Sequence, residues 1–351
     1  MAGELKIGNH HIHDDSDCYV IAEIGHNHQG SFETAKEMIH VAKECGVSAV
    51  KFQKRDNRSL YTESFYNKPY ENEFSYGPTY GSHREKLELS KEIYKDLLHY
   101  SEELEIDFIA TAFDFISADF LNSIGVTAFK SASGDAKSLP LLEHIASFGK
   151  PLIVSTGGCN IDDVHRIYDA IMPINNHLAI LQCTASYPSA HEHLDLNVIA
   201  TYKKLFPDIV IGLSDHTNGI AMGPVAYQLG ARVIEKHFTL NRALRGTDHG
   251  YSLEPVGFKK LVRDLKRTRV ALGSSQKRVH ECEKNPIIKM GKKLVAAKNL
   301  PVGHIITRDD IAIKSPGDGL QPYEINKVIG KRVKHELTMD DDILFEVLEE
   351  D

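Results

Sequence analysis

Residues 209–237 read IVIGLSDHTNGIAMGPVAYQLGARVIEKH. Two apolar, β-branched runs, 209–214 and 232–237, bracket a segment at 220–229 with the apolar spacing of a helix. This is one strand–helix–strand unit. Each run ends in a polar cluster, Ser214-Asp215-His216 and Glu235-Lys236-His237. Outward from this unit the same alternation recurs. Runs at 19–24 (YVIAEI), 48–53 (SAVKFQ), 108–112 (FIATA), 127–131 (TAFKS), 151–156 (PLIVST) and 177–183 (HLAILQC) are almost continuously hydrophobic, as strands buried on both faces must be. Helical patterns at 33–45, 91–104, 161–172 and 254–272 follow or separate them. The first sets Ala35, Met38, Ile39 and Ala42 on one stripe and stops at Gly46. Eight such units before Gly273 predict an α/β fold, the (β/α)8 TIM barrel, whose usual length is about 250 residues. The alternative, a doubly wound sheet, lacks its Gly-rich first turn: residues 25–30 (GHNHQG) have phosphate-loop glycine spacing but no Lys-Ser/Thr after them.

Two regions break the rhythm. The connection 54–89 is long and rich in Tyr, Asn and Gly, the mark of a lid or a partner arm. After a polar stretch at 274–286, apolar runs at 294–297, 305–307, 311–313 and 343–347 read as short strands among Gly and Pro turns, with one or two helical turns at 323–329. The expected organisation is a catalytic barrel over 1–283, a linker at 284–290 and a small β-rich domain over 291–351.

The chain has 351 residues, 42% hydrophobic and 26% charged, an ordinary globular composition. Its formal charge of −8 disfavours nucleic acid or an anionic membrane as the main partner, although a local pocket can still be positive. Five cysteines without a C-x-x-C pair argue against a disulfide scaffold or structural zinc site and for a reducing, cytoplasmic setting. No long apolar run or signal-type h-region is present.

In such barrels the chemistry sits at the C-terminal strand ends. Here those ends carry Glu23, Lys51 with Gln53, Thr111, Lys130 with Ser133 and Asp135, Ser155 with Thr156, Thr184, Ser214 with His216, and Lys236 with His237. Lys51 and Lys130 lie inside apolar runs, where an unpaired cation is costly. Each could merely pair with a carboxylate; their equivalent strand positions and neighbouring hydroxyls favour a site for a small dianion such as phosphate or phosphoenolpyruvate. His216 and His237 end successive strands, which suggests a divalent-metal site with open positions, suited to Mn²⁺, Fe²⁺ or Zn²⁺ more than Ca²⁺. Asp215 and Glu235 are assigned to the opposite face. His26 and His28 could line the mouth. The tract 10–13 (HHIH) reads as a solvated turn, as do His191 and His193, and the sequon at Asn57 has no use in the cytoplasm. Asp248, after the eighth run, could accept hydrogen bonds from a polyol or simply cap a turn.

Taken together, several strings resemble the sialic acid synthase family, which condenses phosphoenolpyruvate with an N-acetylhexosamine. They are 22–28 (AEIGHNH) with Gly30, 51–53 (KFQ), 129–135 (FKSASGD), 154–157 (VSTG), 182–184 (QCT), 187–188 (YP), 212–216 (GLSDH) and 235–238 (EKHF). The resemblance runs from about Tyr19 to the C-terminus. It implies a barrel followed by an antifreeze-like (SAF, β-clip) domain and a domain-swapped homodimer. It implies Lys51, Thr111, Lys130, Ser133, Ser155 and Ser214 as phosphoenolpyruvate contacts, with Gln53 among the substrate-binding residues. His216 and His237 become ligands of a divalent cation, Mn²⁺ foremost, with Mg²⁺ or Co²⁺ as alternatives. Glu23, Asp135, Tyr187 and Asp248 then line the sugar and reaction side. The implied reaction polarises the sugar aldehyde on the metal, joins C3 of phosphoenolpyruvate to that carbon, adds water at C2 and expels phosphate by C–O cleavage. The product is a nine-carbon 2-keto acid.

Two segments depart from the family's free-sugar branch: 185–188 (ASYP) lacks that branch's Asn, and 314–317 (KSPG) has Ser315 where it has Arg. Residues 69–70 (PY), 79–84 (TYGSHR) and 87–88 (LE) instead resemble the branch that uses the sugar 6-phosphate, so Arg84 or His83 could meet that phosphate or anchor the loop. The leading expectation is an N-acylneuraminate synthase acting on N-acetylmannosamine or its 6-phosphate. Legionaminic- or KDN-type synthases, shorter keto-acid synthases and a non-catalytic carbohydrate- or ice-binding protein are the alternatives.

Overall fold

The computed structural model describes residues 3–349. The expected runs form strands β1 (Tyr19–Gly25), β2 (Ala49–Lys54), β3 (Asp107–Ala112), β4 (Ala128–Ser131), β5 (Leu152–Ser155), β6 (Leu178–Cys183), β7 (Val210–Asp215) and β8 (Val233–His237). They close in sequence order into a parallel barrel, β8 pairing back with β1. A helix follows each strand: α1 (Phe32–Glu44), α2 (Lys91–Glu103), α3 (Phe115–Ile124), α4 (Leu139–Ala146), α5 (Ile161–Ile171), α6 (Asn197–Leu205), α7 (Met222–Gln228) and α8 (Pro255–Leu272).

Strand alternation decides what faces the barrel axis. Ile21, Ala49, Ile109, Ala128, Ile153, Leu181 and Val233 belong to one buried inner cluster. Two residues further on, the same face carries Glu23, Lys51, Thr111, Lys130, Ser155, Cys183 and Glu235. Apolar layers therefore lie beneath a polar one. On β7 the intermediate position is Gly212, where a Cβ would collide with the Leu181 side chain and the Val233 carbonyl. Val20, Ala22, Val50, Phe52, Ile180 and Ile211 pack outward in the larger cluster shared with the helices.

An antiparallel hairpin, Leu5–Ile7 with His10–Ile12, puts Leu5, Ile7 and Ile12 into the inner cluster at the N-terminal end of the barrel. The tract 10–13 is thus mainly a strand and not the expected turn. His10 Nδ1 lies 3.0 Å from Asp107 Oδ2, which also accepts from the Tyr19 hydroxyl at 2.7 Å. The long 54–89 connection is folded as well, into short helices Asn57–Leu60, Glu63–Tyr66 and Tyr80–Leu87. Thr79 and Ser82 exchange side chain-to-backbone hydrogen bonds at the start of the last of these. Lys54 Nζ, 2.5 Å from Glu88 Oε1, ties the connection's ends together.

The chain divides into two compact units after Gly273. Residues 284–290 form a short helix, Lys284–Met290. The smaller unit pairs β9 (Lys293–Ala296) with β10 (Ile311–Lys314) antiparallel, over a core that includes Leu294, Leu300, Ile306, Val333 and Ile343. Its other pairings are isolated bridges such as Ile305 with Arg332. Residues 305–307 and 343–347 are therefore not the expected strands, and Phe345–Val347 is a 3₁₀ turn. The Ser315 hydroxyl donates to the Gly291 carbonyl at 2.8 Å and accepts from Lys292 Nζ at 2.8 Å. Among the described residues no helix is long and apolar enough to cross a membrane.

Candidate active site

The inward polar layer is a charge-balanced cluster at the C-terminal mouth. Lys51 Nζ lies 2.8 Å from Glu23 Oε2 and 3.6 Å from Glu235 Oε2, and donates to Thr111 Oγ1 at 3.1 Å. Lys130 Nζ donates to Ser155 Oγ at 2.5 Å and to the Ser131 carbonyl at 2.7 Å, with Glu235 Oε1 at 3.9 Å. Gln53 Nε2 donates to Glu23 Oε1 at 2.5 Å, and Ser214 Oγ to Glu235 Oε1 at 3.0 Å. Burial works against the Lys51 ammonium, but Glu23 and Glu235 outweigh it and its pKa rises. Burial dominates at Lys130, which has weaker carboxylate contact and feels Lys51, so its pKa falls to about 8. Glu235, despite its burial, is held well below the usual carboxylate range by the two ammonium groups.

Glu235 corrects the sequence reading. Asp215 does turn to the outer face, where its Oδ2 meets Lys236 Nζ at 2.6 Å. Glu235 does not, because it shares the face of His237, two residues on. Counting by twos from His237 would have found it. Cys183, given no role by the sequence reading, faces inward on β6 with its Sγ 3.3 Å from Ser133 Oγ.

Above this layer opens a cavity of about 590 Å³, whose lining includes Gln53, Ser133, Tyr187, His237, Asp248 and Tyr251. The His216 and His237 ring centroids are 5.6 Å apart, and Tyr187 packs 4.2 Å from His216. Burial alone would raise the Asp248 pKa, but His237, Thr247 and Tyr251 bring it below the ordinary value; its Oδ2 is 3.8 Å from His237 Nδ1. His216 Nδ1 lies 2.9 Å from the Thr184 carbonyl, the arrangement that leaves Nε2 as the free lone pair of a ligand histidine. His237 Nδ1 is buried without a hydrogen-bond partner. Two imidazoles so prepared fit a divalent cation that keeps open positions. Among the described residues, no group of three or more His, Cys, Asp or Glu side chains could hold one.

The mouth thus gathers Glu23, Lys51, Gln53, Thr111, Lys130, Ser133, Ser155, Tyr187, Ser214, His216 and His237 around one space. Asp248 joins from the outer cavity. Asp135, on the 3₁₀ turn Ser133–Asp135, lines neither; burial raises its pKa to about 6. His83 Nδ1 accepts from the Tyr76 backbone N–H at 3.1 Å. Arg84 does line the outer cavity, beside Arg55, which sequence reasoning passed over because it lies one residue past β2, where strand alternation no longer applies.

The model of the NeuB family matches residues 38–277, and that of the SAF domain matches residues 293–346. The chain is 40% identical over 333 residues to N-acetylneuraminate-9-phosphate synthase of Homo sapiens, covering 95% of this chain and 93% of that protein. It is 35% identical to N,N'-diacetyllegionaminic acid synthase of Legionella pneumophila, covering 95% of each. The crystal structure of N-acetylneuraminic acid synthetase from Leptospira borgpetersenii, in complex with citrate, superposes with a TM-score of 0.72 at 30% identity, over 82% of this chain and 96% of that one. With its mouth of paired lysines and carboxylates and its trailing SAF domain, this chain is an enzyme of the NeuB family.

Proposed function

We propose that this enzyme is a nonulosonate synthase. It condenses phosphoenolpyruvate with an N-acylhexosamine, N-acetylmannosamine or its 6-phosphate, giving a nine-carbon 2-keto acid and phosphate by C–O cleavage. The carrying observation is the pair Lys51 and Lys130, buried together with hydroxyl partners Thr111 and Ser155 at the base of one mouth. Two ammonium groups and these hydroxyls, with Ser133 and Ser214 nearby, suit a phosphate that must be held while its C–O bond breaks. Glu23, fixed between Lys51 and Gln53, is placed to take the proton of water adding at C2. Tyr187 and Asp248 bracket the acceptor above. Asp135 enters only through the family resemblance. His216 and His237 would hold a divalent cation, Mn²⁺ first and Mg²⁺ or Co²⁺ next, which when bound supplies Lewis-acid polarisation of the acceptor aldehyde. The resemblance also supports a homodimer with exchanged small domains; exposed Tyr323, Met339 and Val302 on that domain offer apolar contact area.

The test is phosphate release from phosphoenolpyruvate with free and 6-phosphorylated N-acetylmannosamine and Mn²⁺. Turnover is expected. No turnover with any hexosamine, free or phosphorylated, overturns the reading. The legionaminic acid synthase relative makes a diacetylated hexose the next acceptor to try.

A pH dependence follows from Lys130. Anion binding needs its protonated form, and its pKa lies at about 8. The KM for phosphoenolpyruvate is therefore expected to be flat below about pH 7 and to climb as pH rises through 8, by up to about tenfold per unit. A KM independent of pH between 7 and 9.5 would contradict this.

A further inference from the structure

Two segments that line the outer cavity have no core of their own. Between residues 71 and 77, which include Phe74, no side chain is buried. The same holds between residues 241 and 248, which include Thr247 and Asp248. Hydrophobic packing does not fix either stretch, so polar contacts must.

Arg245, in the loop after β8, supplies them. Its Nε donates to the Glu73 carbonyl at 2.9 Å and its Nη2 to the Ser75 carbonyl. Its guanidinium lies 5.1 Å from the Tyr76 ring centroid. In return its own carbonyl accepts from the Tyr76 hydroxyl at 2.7 Å, and also from Gln29 Nε2 in the loop after β1. Among the described residues, every hydrogen bond between the two segments is made by Arg245.

The foot of the same loop is held differently. Asn27, buried, donates from Nδ2 to the Phe238 carbonyl at 2.8 Å and to Ser252 Oγ at 3.0 Å. Ser252 Oγ donates in turn to the Asp248 carbonyl at 2.6 Å. His249, also buried, has its Nδ1 2.7 Å from Thr239 Oγ1, and a Cβ on Gly246 would come 2.7 Å from that ring's Cδ2. Hydrogen bonds at the exposed tip can break and re-form while this buried foot stays closed.

We infer that Arg245 is a positioning residue for the acceptor: it joins segments 71–77 and 241–248 into one wall of the outer cavity and so fixes Phe74 and Asp248 for the ligand. This rests on the synthase reading. The phosphoenolpyruvate lysines do not share that support, because Lys51 and Lys130 stand on strands β2 and β4.

The test pairs hydrogen–deuterium exchange with steady-state kinetics on the full chain, in the wild type, Arg245→Ala, Arg245→Lys and Tyr76→Phe. Arg245→Ala is expected to speed amide exchange by about tenfold or more in both segments and to leave it unchanged in β1. Tyr76→Phe, which cuts the tie from the other side, should speed exchange in 241–248. The acceptor is N-acetylmannosamine or its 6-phosphate, whichever the wild type turns over. Its KM is expected to rise by about tenfold or more in Arg245→Ala, while the KM for phosphoenolpyruvate stays within about threefold. Arg245→Lys, which keeps the charge and loses the fork, should recover part of both effects. Unchanged exchange in either segment, or an equal rise of both KM values, overturns the inference and leaves the synthase reading standing. Faster exchange with an unchanged acceptor KM does the same. If the wild type turns over no hexosamine, the synthase reading fails and exchange alone judges the latch: a joint rise supports it, and no change overturns it.

Discussion

Lys51→Met is expected to cut kcat/KM for phosphoenolpyruvate by about 10³-fold or more and to destabilise the fold by about 3–5 kcal/mol. Lys51 is the nearest cation to two buried carboxylates, 2.8 Å from Glu23 and 3.6 Å from Glu235. Methionine fills the aliphatic space but leaves both acids buried at the base of the mouth without their nearest cation, with Lys130 3.9 Å from one of them. Adding Glu23→Gln removes one of the stranded charges, so the double variant should regain much of the lost stability. It should not regain activity, because the phosphate still lacks its ammonium group. Urea unfolding and phosphate release, measured on both variants, separate the two effects. Activity within tenfold of wild type in Lys51→Met would show that the lysine only neutralises its neighbours.

His237→Ala is expected to have a different profile: turnover falls by about 10³-fold, while the unfolding midpoint falls less than in Lys51→Met. A bound Lewis acid is worth several kcal/mol at the transition state, and about 4 kcal/mol is a thousandfold. Removing the His237 ring strands no hydrogen-bond partner of Nδ1 and leaves Asp248 without a group that lowers its pKa, a smaller loss than two buried acids without Lys51. Mn²⁺ titration followed by electron paramagnetic resonance should show a bound ion in the wild type and none in the variant. Full activity after both chelation and the substitution would show that no metal acts at this pair.

The barrel was legible because each strand lies in a short, mostly apolar run followed by a helical pattern or a turn, and because its C-terminal polar residue interrupts that run. Lys51 and Lys130 stand out for that reason. Glu235 was misplaced by an error of parity, since it sits two residues before His237 on one strand. Arg55 and the helices of the 54–89 connection carried no periodic signal; their order comes from single contacts such as Lys54 with Glu88 and Arg84 with Tyr80. The smaller unit was harder for a similar reason. Its core residues Leu300 and Val333 are held by isolated bridges to Leu337 and Leu348, and two of its four short apolar runs, 305–307 and 343–347, never pair over a strand's length. The N-terminal hairpin hid behind its histidines, which outnumber the one residue, Ile12, that anchors that strand inside the barrel.

That hairpin has a kinetic meaning. With apolar layers filling the axis and Leu5, Ile7 and Ile12 packed at the far end, the barrel is closed beneath its mouth, and the outer cavity, lined in part by Arg55, Arg84 and Asp248, lies above it. A molecule seated on Lys51 and Lys130 can be covered by a second but cannot slip out beneath it. Last in, first out is the order expected of two ligands stacked this way: one in the upper chamber should lengthen the residence of one below it.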